Sequence, residues 1–345
     1  MEGMTYNQII DLADFPFKKQ ELEDLIALKG IKLTDFAGQS FNIVFFGTNQ
    51  TLGDVVLRFG EKPKNDFGQI GIAGIETSGY FDPNKHNKEV ELTKIAVAAK
   101  VPAPKIFETG FMSDGTSWSI QQKSIGKPLE NLWGTITEQQ KLTSLHEMGN
   151  NLAKLHSFGK KVDKERVNKY WHNKLDIISN NLLVLGLFSN EQIIYFKNIL
   201  DAKIDNTLTK GPGWISPVHL EYMHKHVFVD EKLHITGVID WETGEKEGDP
   251  ICDLVFSALW NTDGGTYEQS GFKLNKPEQF DSFLKGYSQI IEVDKKTLLN
   301  LLPVYDAIWY LNIIWVRNLQ GKNEKTQRRI DKAINIINLL ANDNV

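Results

Sequence analysis

The chain contains 345 residues, of which 41% are hydrophobic and 24% are charged, a composition typical of a globular protein with one large or two linked cores and unlike that of disordered or fibrous proteins. The formal net charge is −5 and no basic stripe with interleaved aromatic residues is present, so we expect no nucleic-acid partner. The single cysteine, Cys252, excludes internal disulfides and favours a cytoplasmic location.

Residues 5–30 show the spacing of amphipathic helices, interrupted at Phe15-Pro16, and predict a helical lead-in. Residues 1–17 contain acidic side chains and no apolar core of signal-peptide length, so we expect no export signal. Longer apolar runs, such as residues 308–316, are too short to span a bilayer, and we expect no membrane partner. Nothing in the sequence indicates an oligomeric state.

From Ile31 the hydrophobic period changes to that of strands. The residues Gly38, Gln39 and Ser40 precede an apolar segment at 43–46, and a turn at 49–53 leads to a second apolar segment at 55–59. A strand, a glycine-bearing turn and further strands can lay backbone N–H groups over a phosphate chain. An ordinary hairpin gives the same pattern, so this motif alone does not distinguish a phosphate-binding loop from a structural hairpin.

Arg58 lies in the middle of a segment that otherwise consists of apolar residues. An unpaired Arg half-buried in a sheet is costly, so an acidic partner is expected. A helix that contains Glu89 is predicted to begin near Asn84. A surface Arg on the solvent face of a sheet is the alternative. The intervening segment 60–82 is rich in Gly, Asn and Asp and is long enough to be an insertion, and its sequence indicates no role.

Further strands are predicted at 105–109 and 118–122, and a mainly helical region follows. Thr137 with Gln140, and Ser189 with Gln192, form capping-box patterns that predict helix starts. The remainder of the chain is predicted to be largely helical up to the last apolar stripe at 330–340.

The segment 218–253 breaks this helical region with a hairpin pattern, two short apolar runs flanking Asp230-Glu231-Lys232. Glu221 is the only carboxylate in the His-rich loop before the hairpin, and Asp240 follows the second strand. Both acidic side chains are therefore expected at one end of the hairpin, where they could reach a common metal and phosphate.

This segment resembles the catalytic region of the aminoglycoside phosphotransferase and choline kinase family, which reads His-Gly-Asp, Asn five residues later, a hairpin, Ile-Asp-Trp-Glu, Gly-Asp-Pro and Asp-Leu. Outright matches are His219, Asp240-Trp241-Glu242, Gly248-Asp249-Pro250 and Asp253-Leu254. Glu221 stands where the family has the catalytic Asp, His226 where it has Asn, and Leu220 where it has Gly.

The resemblance implies an α+β, two-lobed protein-kinase-like fold, with a small antiparallel-sheet lobe of five strands and one helix and a mainly helical second lobe. We place the boundary after Lys123, which gives a nucleotide-binding lobe at 1–123 and a catalytic and substrate-binding lobe at 124–345. Before that boundary, the backbone from Gln121 to Lys123 is expected to contact the purine.

The implied activity is transfer of the γ-phosphate of ATP or GTP to a hydroxyl of an antibiotic-like or metabolic alcohol. The expected nucleotide site comprises Gly38, Gln39, Ser40, Arg58, Glu89, Gln121 and Lys123. Within it, the resemblance implies that Glu89 is the ion-pair partner of Arg58. Asp240, helped by His226, is expected to hold Mg²⁺, with Mn²⁺ as a possible substitute, because carboxylate oxygens suit hard cations whereas imidazole suits softer ones. Asp249 and Asp253 are expected to bond backbone N–H groups and to be structural.

Glu221 is expected to be the catalytic base. Its extra methylene moves the carboxylate by up to roughly 1.5 Å, and a misplacement of about 1 Å can cost on the order of a hundredfold in rate. Leu220 would add bulk where the acceptor hydroxyl approaches. A kinase-fold protein that binds nucleotide or a small ligand without phosphoryl transfer is therefore the alternative function.

Three further hypotheses concern the surroundings of this loop. His224 could replace Glu221 as the base, and His219, Glu221, His224 and His226 could form a two-His, one-carboxylate metal site. The acidic residues after Asp240 either favour a cationic acceptor or form a solvated loop, which we favour; they are Glu242, Glu245 and Glu247. The aromatic residues Trp309, Tyr310 and Trp315 could line the acceptor pocket, although helical spacing is more typical of core.

Overall fold

The structure is a computed structural model that describes residues 6–11, 13, 17–39, 42–60, 85–207, 213–263, 265–268, 271–319 and 325–342. Ser40 and the inserted residues 61–84 lie outside this part of the chain. Two short helices, α1 (Tyr6–Ile10) and α2 (Lys19–Lys29), form the predicted helical lead-in.

The amino-terminal lobe contains an antiparallel five-stranded sheet of order β1-β2-β3-β5-β4. Its strands are β1 (Ile31–Gln39), β2 (Asn42–Asn49), β3 (Gly53–Gly60), β4 (Ile106–Phe111) and β5 (Ser117–Gln122). Buried residues such as Phe45 and Leu57 pack against the two leading helices and form a separate hydrophobic core. The helix α3 (Lys85–Ala98) stands between β3 and β4 in the chain, and its residues Leu92 and Ala96 pack into the core of the second lobe instead.

The chain crosses to the second lobe through a linker that is held against the hairpin. The two-residue strand β6 (Lys127–Pro128) pairs with β9 (Val227–Val229), which pairs in turn with β10 (Ile235–Val238). Gly126 has φ +89°, and a Cβ at this position would lie 1.9 Å from the backbone oxygen of Val229. The linker can approach the hairpin this closely only with glycine at position 126.

The second lobe is mainly helical. Its helices are α4 (Glu130–Trp133), α5 (Glu138–His156), α6 (Lys164–Val184), α7 (Asn190–Thr207), α8 (Pro250–Trp260), α9 (Pro277–Tyr287), α10 (Lys295–Leu319) and α11 (Thr326–Asn342). The remaining strands are β7 (Lys160–Lys161), β8 (Trp214–Val218), β11 (Glu245–Gly248), β12 (Gly265–Glu268) and β13 (Gly271–Leu274). The capping box predicted at Thr137 is present at the start of α5, and the Ser189–Gln192 bonds precede α7.

The helix α10 is longer than the apolar run 308–316 suggested. Its 25 residues are long and apolar enough to cross a membrane by length and composition, but 67% of its most apolar window is buried inside the protein. Trp315 is buried in the core, and Trp309 packs edge-on against Trp260. Helix α10 therefore serves as a core helix of this lobe.

Candidate active site

A cleft of about 690 Å³ lies between the two lobes. Its apolar side chains come from the amino-terminal sheet and from the hairpin of the second lobe, and include Val44, Phe46, Val56, Phe228 and Ile239. Gly38, Gln121 and Lys123, which the sequence predicted to contact nucleotide, all line this cleft. Gln39 ends strand β1 beside Gly38, whereas Ser40 lies outside the described residues.

Arg58 enters the cleft from the central strand β3. Its Nη1 lies 2.6 Å from Oε1 of Glu89 on α3, and both side chains are buried, with exposed fractions of 12% and 5%. Burial raises the pKa of Glu89 to about 7 in spite of the charge of Arg58, which is the largest effect that lowers it; the charges of Glu242 and Asp240 raise the pKa further. The expected ion pair is present, while its role in binding phosphate remains a prediction.

The buried carboxylate of Asp253 holds the backbone of the His219–Glu221 loop. This carboxylate accepts hydrogen bonds from the backbone N–H groups of His219 (2.6 Å) and Leu220 (3.0 Å), and its Oδ2 lies 3.2 Å from Nε2 of His156. Burial opposes ionisation of Asp253, but the hydrogen bond and charge of His156 lower its pKa. The structural role expected for Asp253 is confirmed, as is that of Asp249, whose side chain caps α8.

His219 supports the same loop with both ring nitrogens. Nε2 lies 3.0 Å from the carbonyl oxygen of Ile239, and Nδ1 lies 3.3 Å from the backbone nitrogen of Glu221. A neutral ring that donates through Nε2 and accepts at Nδ1 satisfies both contacts. Burial and the nearby His226 lower the pKa of His219, which favours that neutral form.

Glu221, His226 and Asp240 meet at the end of the hairpin, where each offers one ligand atom and these atoms all lie within 4.8 Å of one another. Asp240 has the left-handed backbone angles φ 68° and ψ 52°, which an Asp tolerates better than most residues. Residues held in such sparsely populated conformations cluster at functional sites. Two carboxylates and one imidazole within this distance fit a divalent cation.

His226 is held between two acceptors. Its Nδ1 lies 2.7 Å from the carbonyl oxygen of Glu221, and its Nε2 lies 2.9 Å from Oδ2 of Asp240. Burial opposes ionisation of Asp240, yet the hydrogen bond and charge of His226 and the charge of Arg58 keep the pKa of Asp240 well below its usual range. Asp240 is therefore ionised at neutral pH.

The family-model comparison identifies the chain: the model described as phosphotransferase enzyme family, APH, matches residues 32–292. The chain belongs to this family. By sequence, none of the curated proteins compared matches it.

Solved structures of aminoglycoside phosphotransferases share the kinase-like fold of this APH-family protein. A thermostable mutant of APH(4)-Ia in its apo form has a TM-score of 0.61 and 13% identity, with 95% of this chain and 100% of that chain covered. The streptomycin–ATP–APH(2")-IIa ternary complex has a TM-score of 0.59 and 14% identity, with coverage of 93% and 97%. The GDP complex of aminoglycoside 2'-phosphotransferase-IIIa has a TM-score of 0.58 and 17% identity, with coverage of 95% and 100%. The two-lobed kinase-like fold expected from the sequence is thereby confirmed.

Glu242, within the matched Asp-Trp-Glu motif, joins three parts of this family fold. Its Oε2 accepts a hydrogen bond from Nδ2 of Asn42 at 2.9 Å, and its Oε1 lies 2.8 Å from Nζ of Lys85. Asn42 begins β2 and Lys85 begins α3. The buried carboxylate of Glu242, two residues after Asp240, therefore binds the first residue of β2 and the first residue of α3. Asn42 and Glu242 also line the cleft, and sequence reasoning gave neither this role.

The prediction that Glu242, Glu245 and Glu247 are solvated is wrong for Glu242 and Glu245 and holds only for Glu247. Glu242 is buried, and Glu245 is half-buried with Tyr170 and Lys174 bonded to its carboxylate at 2.7 and 2.8 Å. Glu247 is exposed but pairs with Arg166 at 2.7 Å and also with Lys160. Neighbouring cations thus neutralise all three carboxylates, which also removes the argument for a cationic acceptor.

His224 is neither a base nor a metal ligand in this arrangement. Its ring stacks on Trp133 with 3.8 Å between centroids, and it does not line the cleft described here. Burial lowers the pKa of His224 to about 4. The alternative site of two His and one carboxylate is wrong, because the described residues that converge are one imidazole, His226, and two carboxylates, Glu221 and Asp240.

Leu220 adopts the left-handed φ of 63° where the family pattern has Gly. The side chain is half-buried and is not among the described residues that line the cleft, so the bulk expected at the hydroxyl is placed elsewhere. The replacement of Gly by Leu220 is therefore expected to cost backbone strain, on the order of 1–3 kcal/mol for such a conformation.

Two basic residues of the second lobe also line the cleft, Lys225 in the loop and Arg317 near the end of α10. Sequence reasoning missed both. Lys225 directly precedes His226, so its place beside the site could have been predicted from the sequence. The sequence around Arg317 contains no feature that predicts its position at the cleft.

Proposed function

We propose that this protein is a small-molecule kinase that transfers the γ-phosphate of ATP or GTP to the hydroxyl of an antibiotic-like or metabolic alcohol. The observation that carries the proposal is the convergence of ligand atoms of Glu221, His226 and Asp240 within 4.8 Å of one another, at a cleft that Glu221, Asp240 and Arg58 line. We expect the enzyme to act in the cytoplasm.

The nucleotide is proposed to lie against Gly38, near the end of strand β1. Its base would stand between the apolar side chains of the sheet and those of the hairpin, against the backbone of Gln121 to Lys123. Nζ of Lys123 lies 4.7 Å from the ring centroid of Phe46, so this cation is held at the edge of that apolar site. Arg58, oriented by Glu89, would bind the phosphates through its bidentate fork.

Asp240, helped by His226, would hold Mg²⁺ or Mn²⁺, while the neighbouring carboxylate of Glu221 would be reserved for the acceptor hydroxyl. Such an ion neutralises charge on the phosphates and is a normal part of kinase sites. The nitrogen of His226 is a poorer ligand for Mg²⁺ than an amide oxygen, so this donor set favours a softer divalent ion more than the family's Asp–Asn pair does.

Glu221 is proposed to orient the acceptor hydroxyl and to accept its proton. The acceptor oxygen forms a bond to the γ-phosphorus, the bond from that phosphorus to the bridging oxygen breaks, and the nucleoside diphosphate leaves. The N–H of Glu221 faces Nδ1 of His219 and its carbonyl accepts from His226, so its backbone is fixed on both sides. A base fixed in this way is able to act in spite of its extra methylene.

The proposal is tested by incubating the protein with a small-molecule extract, ATP and Mn²⁺. Mass spectrometry then searches for products that are heavier than an extract component by one phosphoryl group. We expect such a product with the wild-type chain, and a loss on the order of 10²- to 10⁴-fold with Glu221→Gln. Glu231→Gln makes the same change in the exposed hairpin turn and serves as the control.

The alternative is a protein that binds nucleotide without transferring phosphate, and the replacement of the catalytic Asp by Glu221 favours it. Nucleotide binding that persists beside a complete absence of phosphorylated products, across extracts and metals, would establish this alternative.

A further inference from the structure

The acidic side chains that line the described part of the cleft are Glu221, Asp240 and Glu242, and each already has a contact or a proposed task. The carboxylate of Glu242 is taken by Asn42 and Lys85, at 2.9 and 2.8 Å. Asp240 faces His226, and Glu221 is the proposed base. Within these residues, none of the carboxylates remains to bind an ammonium group of an acceptor.

Lys225 brings a positive charge to the cleft that the proposed base also lines. The bond between Nδ1 of His226 and the carbonyl oxygen of Glu221, at 2.7 Å, curls the loop back on itself and brings Lys225 to the side of the cleft where Glu221 stands. Lys225 is exposed, and the described part of the chain gives its amino group no ion pair or hydrogen bond. An exposed amine in this position is available to a ligand.

Arg317 adds a second positive charge from a different element, the carboxyl-terminal end of α10. It is half-buried, and its planar guanidinium suits carboxylate or phosphate recognition. The cations assigned to the nucleotide, Arg58 and Lys123, come from the amino-terminal sheet and the linker. Lys225 and Arg317 both belong to the second lobe, which is proposed to bind the acceptor.

We infer that the acceptor alcohol carries a negative charge, a carboxylate or a phosphate, that Lys225 and Arg317 bind, and that polycationic amino sugars are poor acceptors. This inference rests on the proposed kinase function and adds the chemical class of its substrate. A cationic acceptor would meet two like charges, and the described cleft residues leave no carboxylate to offset them; such juxtaposition is how sites reject wrong partners.

A panel of alcohols matched in scaffold and different in charge tests the inference. Suitable sets are glucosamine, glucose, glucuronate and glucose 6-phosphate, and aminopropanediol, glycerol, glycerate and glycerol phosphate, with kanamycin as a polycation. Each compound is assayed for phosphate transfer from ATP and for thermal stabilisation of protein loaded with a non-hydrolysable ATP analogue and Mn²⁺. The loaded analogue fills the γ-phosphate position, and comparison of the carboxylates with the phosphates distinguishes the two kinds of anion.

We expect the anionic members to exceed their neutral and cationic counterparts by about tenfold or more, the ratio that one charge-assisted hydrogen bond gives. Lys225→Glu and Arg317→Glu should each reduce or invert this preference, whereas Lys232→Glu in the exposed hairpin turn should leave it unchanged. The inference would be overturned by a preference for cations, by an equal response to all charge classes, or by no response to any compound. It would also be overturned by an anion preference that Lys225→Glu and Arg317→Glu leave unchanged.

A further arm excludes a role of these cations toward the nucleotide. If Lys225→Glu and Arg317→Glu weaken binding of the ATP analogue much more than binding of ADP, the two cations hold the γ-phosphate and the inference is wrong. Nucleotide-dependent stabilisation of the wild-type chain reports separately on the proposed function. Its presence beside a failed charge preference would leave the kinase proposal standing and remove only the acceptor class.

Discussion

Nε2 of His226 lies 2.9 Å from Oδ2 of Asp240, while Nδ1 of the same ring lies 2.7 Å from the carbonyl oxygen of Glu221. The imidazole thus connects the two carboxylate-bearing residues of the site, one through its side chain and the other through its backbone. Where the family pattern has an amide oxygen, this chain presents a nitrogen, so the choice of metal is the property most directly affected.

His226→Asn is expected to shift the metal preference from Mn²⁺ toward Mg²⁺, because an amide oxygen is a harder ligand than an imidazole nitrogen. The measurement is the nucleotide affinity of each protein in Mg²⁺ and in Mn²⁺, expressed as a ratio. His234→Asn, on the exposed side of the hairpin, is the matched control. An unchanged ratio in His226→Asn would show that His226 does not contribute to the metal site.

The buried pair of Arg58 and Glu89 should show an interaction energy that depends on pH. Burial raises the pKa of Glu89 to about 7, so the carboxylate is charged above that pH and increasingly protonated below it. A double-mutant cycle with Arg58→Met and Glu89→Gln, measured by urea unfolding, is therefore expected to give a larger coupling at about pH 8.5 than at about pH 6. A coupling that is equal at both values, or larger at the lower one, would contradict the raised pKa.

His86, on α3, is buried, and neither ring nitrogen has a hydrogen-bond partner within the part of the chain that the structure describes. Burial, followed by the charge of Arg58, lowers its pKa to about 3. Below the ordinary pKa of about 6.5, His86 binds a proton in the unfolded chain but stays neutral in the folded chain. The contribution of His86 therefore lowers the unfolding free energy by up to ~1.4 kcal/mol for each pH unit that the pH falls.

His86→Leu is expected to remove that contribution and to gain stability relative to the wild-type chain as the pH falls from about 6.5 to 4. The raised pKa of Glu89 acts in the opposite direction in both proteins, since its folded form binds the extra proton, so the difference between the two unfolding curves is the quantity to measure. A difference that does not grow as the pH falls would contradict a neutral buried His86.

Gly126 lets the linker approach the hairpin, and Gly126→Ala should destabilise the protein by several kcal/mol, roughly the range for overpacking against rigid backbone. Gly53 also has a positive φ, +76°, but a Cβ there would meet nothing within 4 Å. Gly53→Ala should therefore cost only about 1 kcal/mol from backbone strain. Equal losses in the two variants, measured by urea unfolding, would show that the approach to Val229 is not tight.

The sequence predicted the features whose cause is local or follows a short motif. The hairpin and the strand that carries Arg58 followed from periodicity. The pairing of Arg58 with Glu89 followed from the family resemblance together with the cost of burying an unpaired charge. The bridge from Glu242 to Asn42 could not be predicted, since it joins side chains 200 positions apart and depends on how the two lobes meet. His224 was misjudged because its burial against Trp133 depends on a helix that the loop sequence does not reveal.

The most direct test of the account is nucleotide binding by Asp240→Asn. We predict that ATP or GTP stabilises the wild-type chain in a thermal-shift measurement only when Mg²⁺ or Mn²⁺ is present, that Asp240→Asn abolishes this metal-dependent part, and that the control Glu231→Gln retains it. Metal-dependent stabilisation of equal size in Asp240→Asn, or no stabilisation of the wild-type chain by any pair of nucleotide and metal, would contradict it.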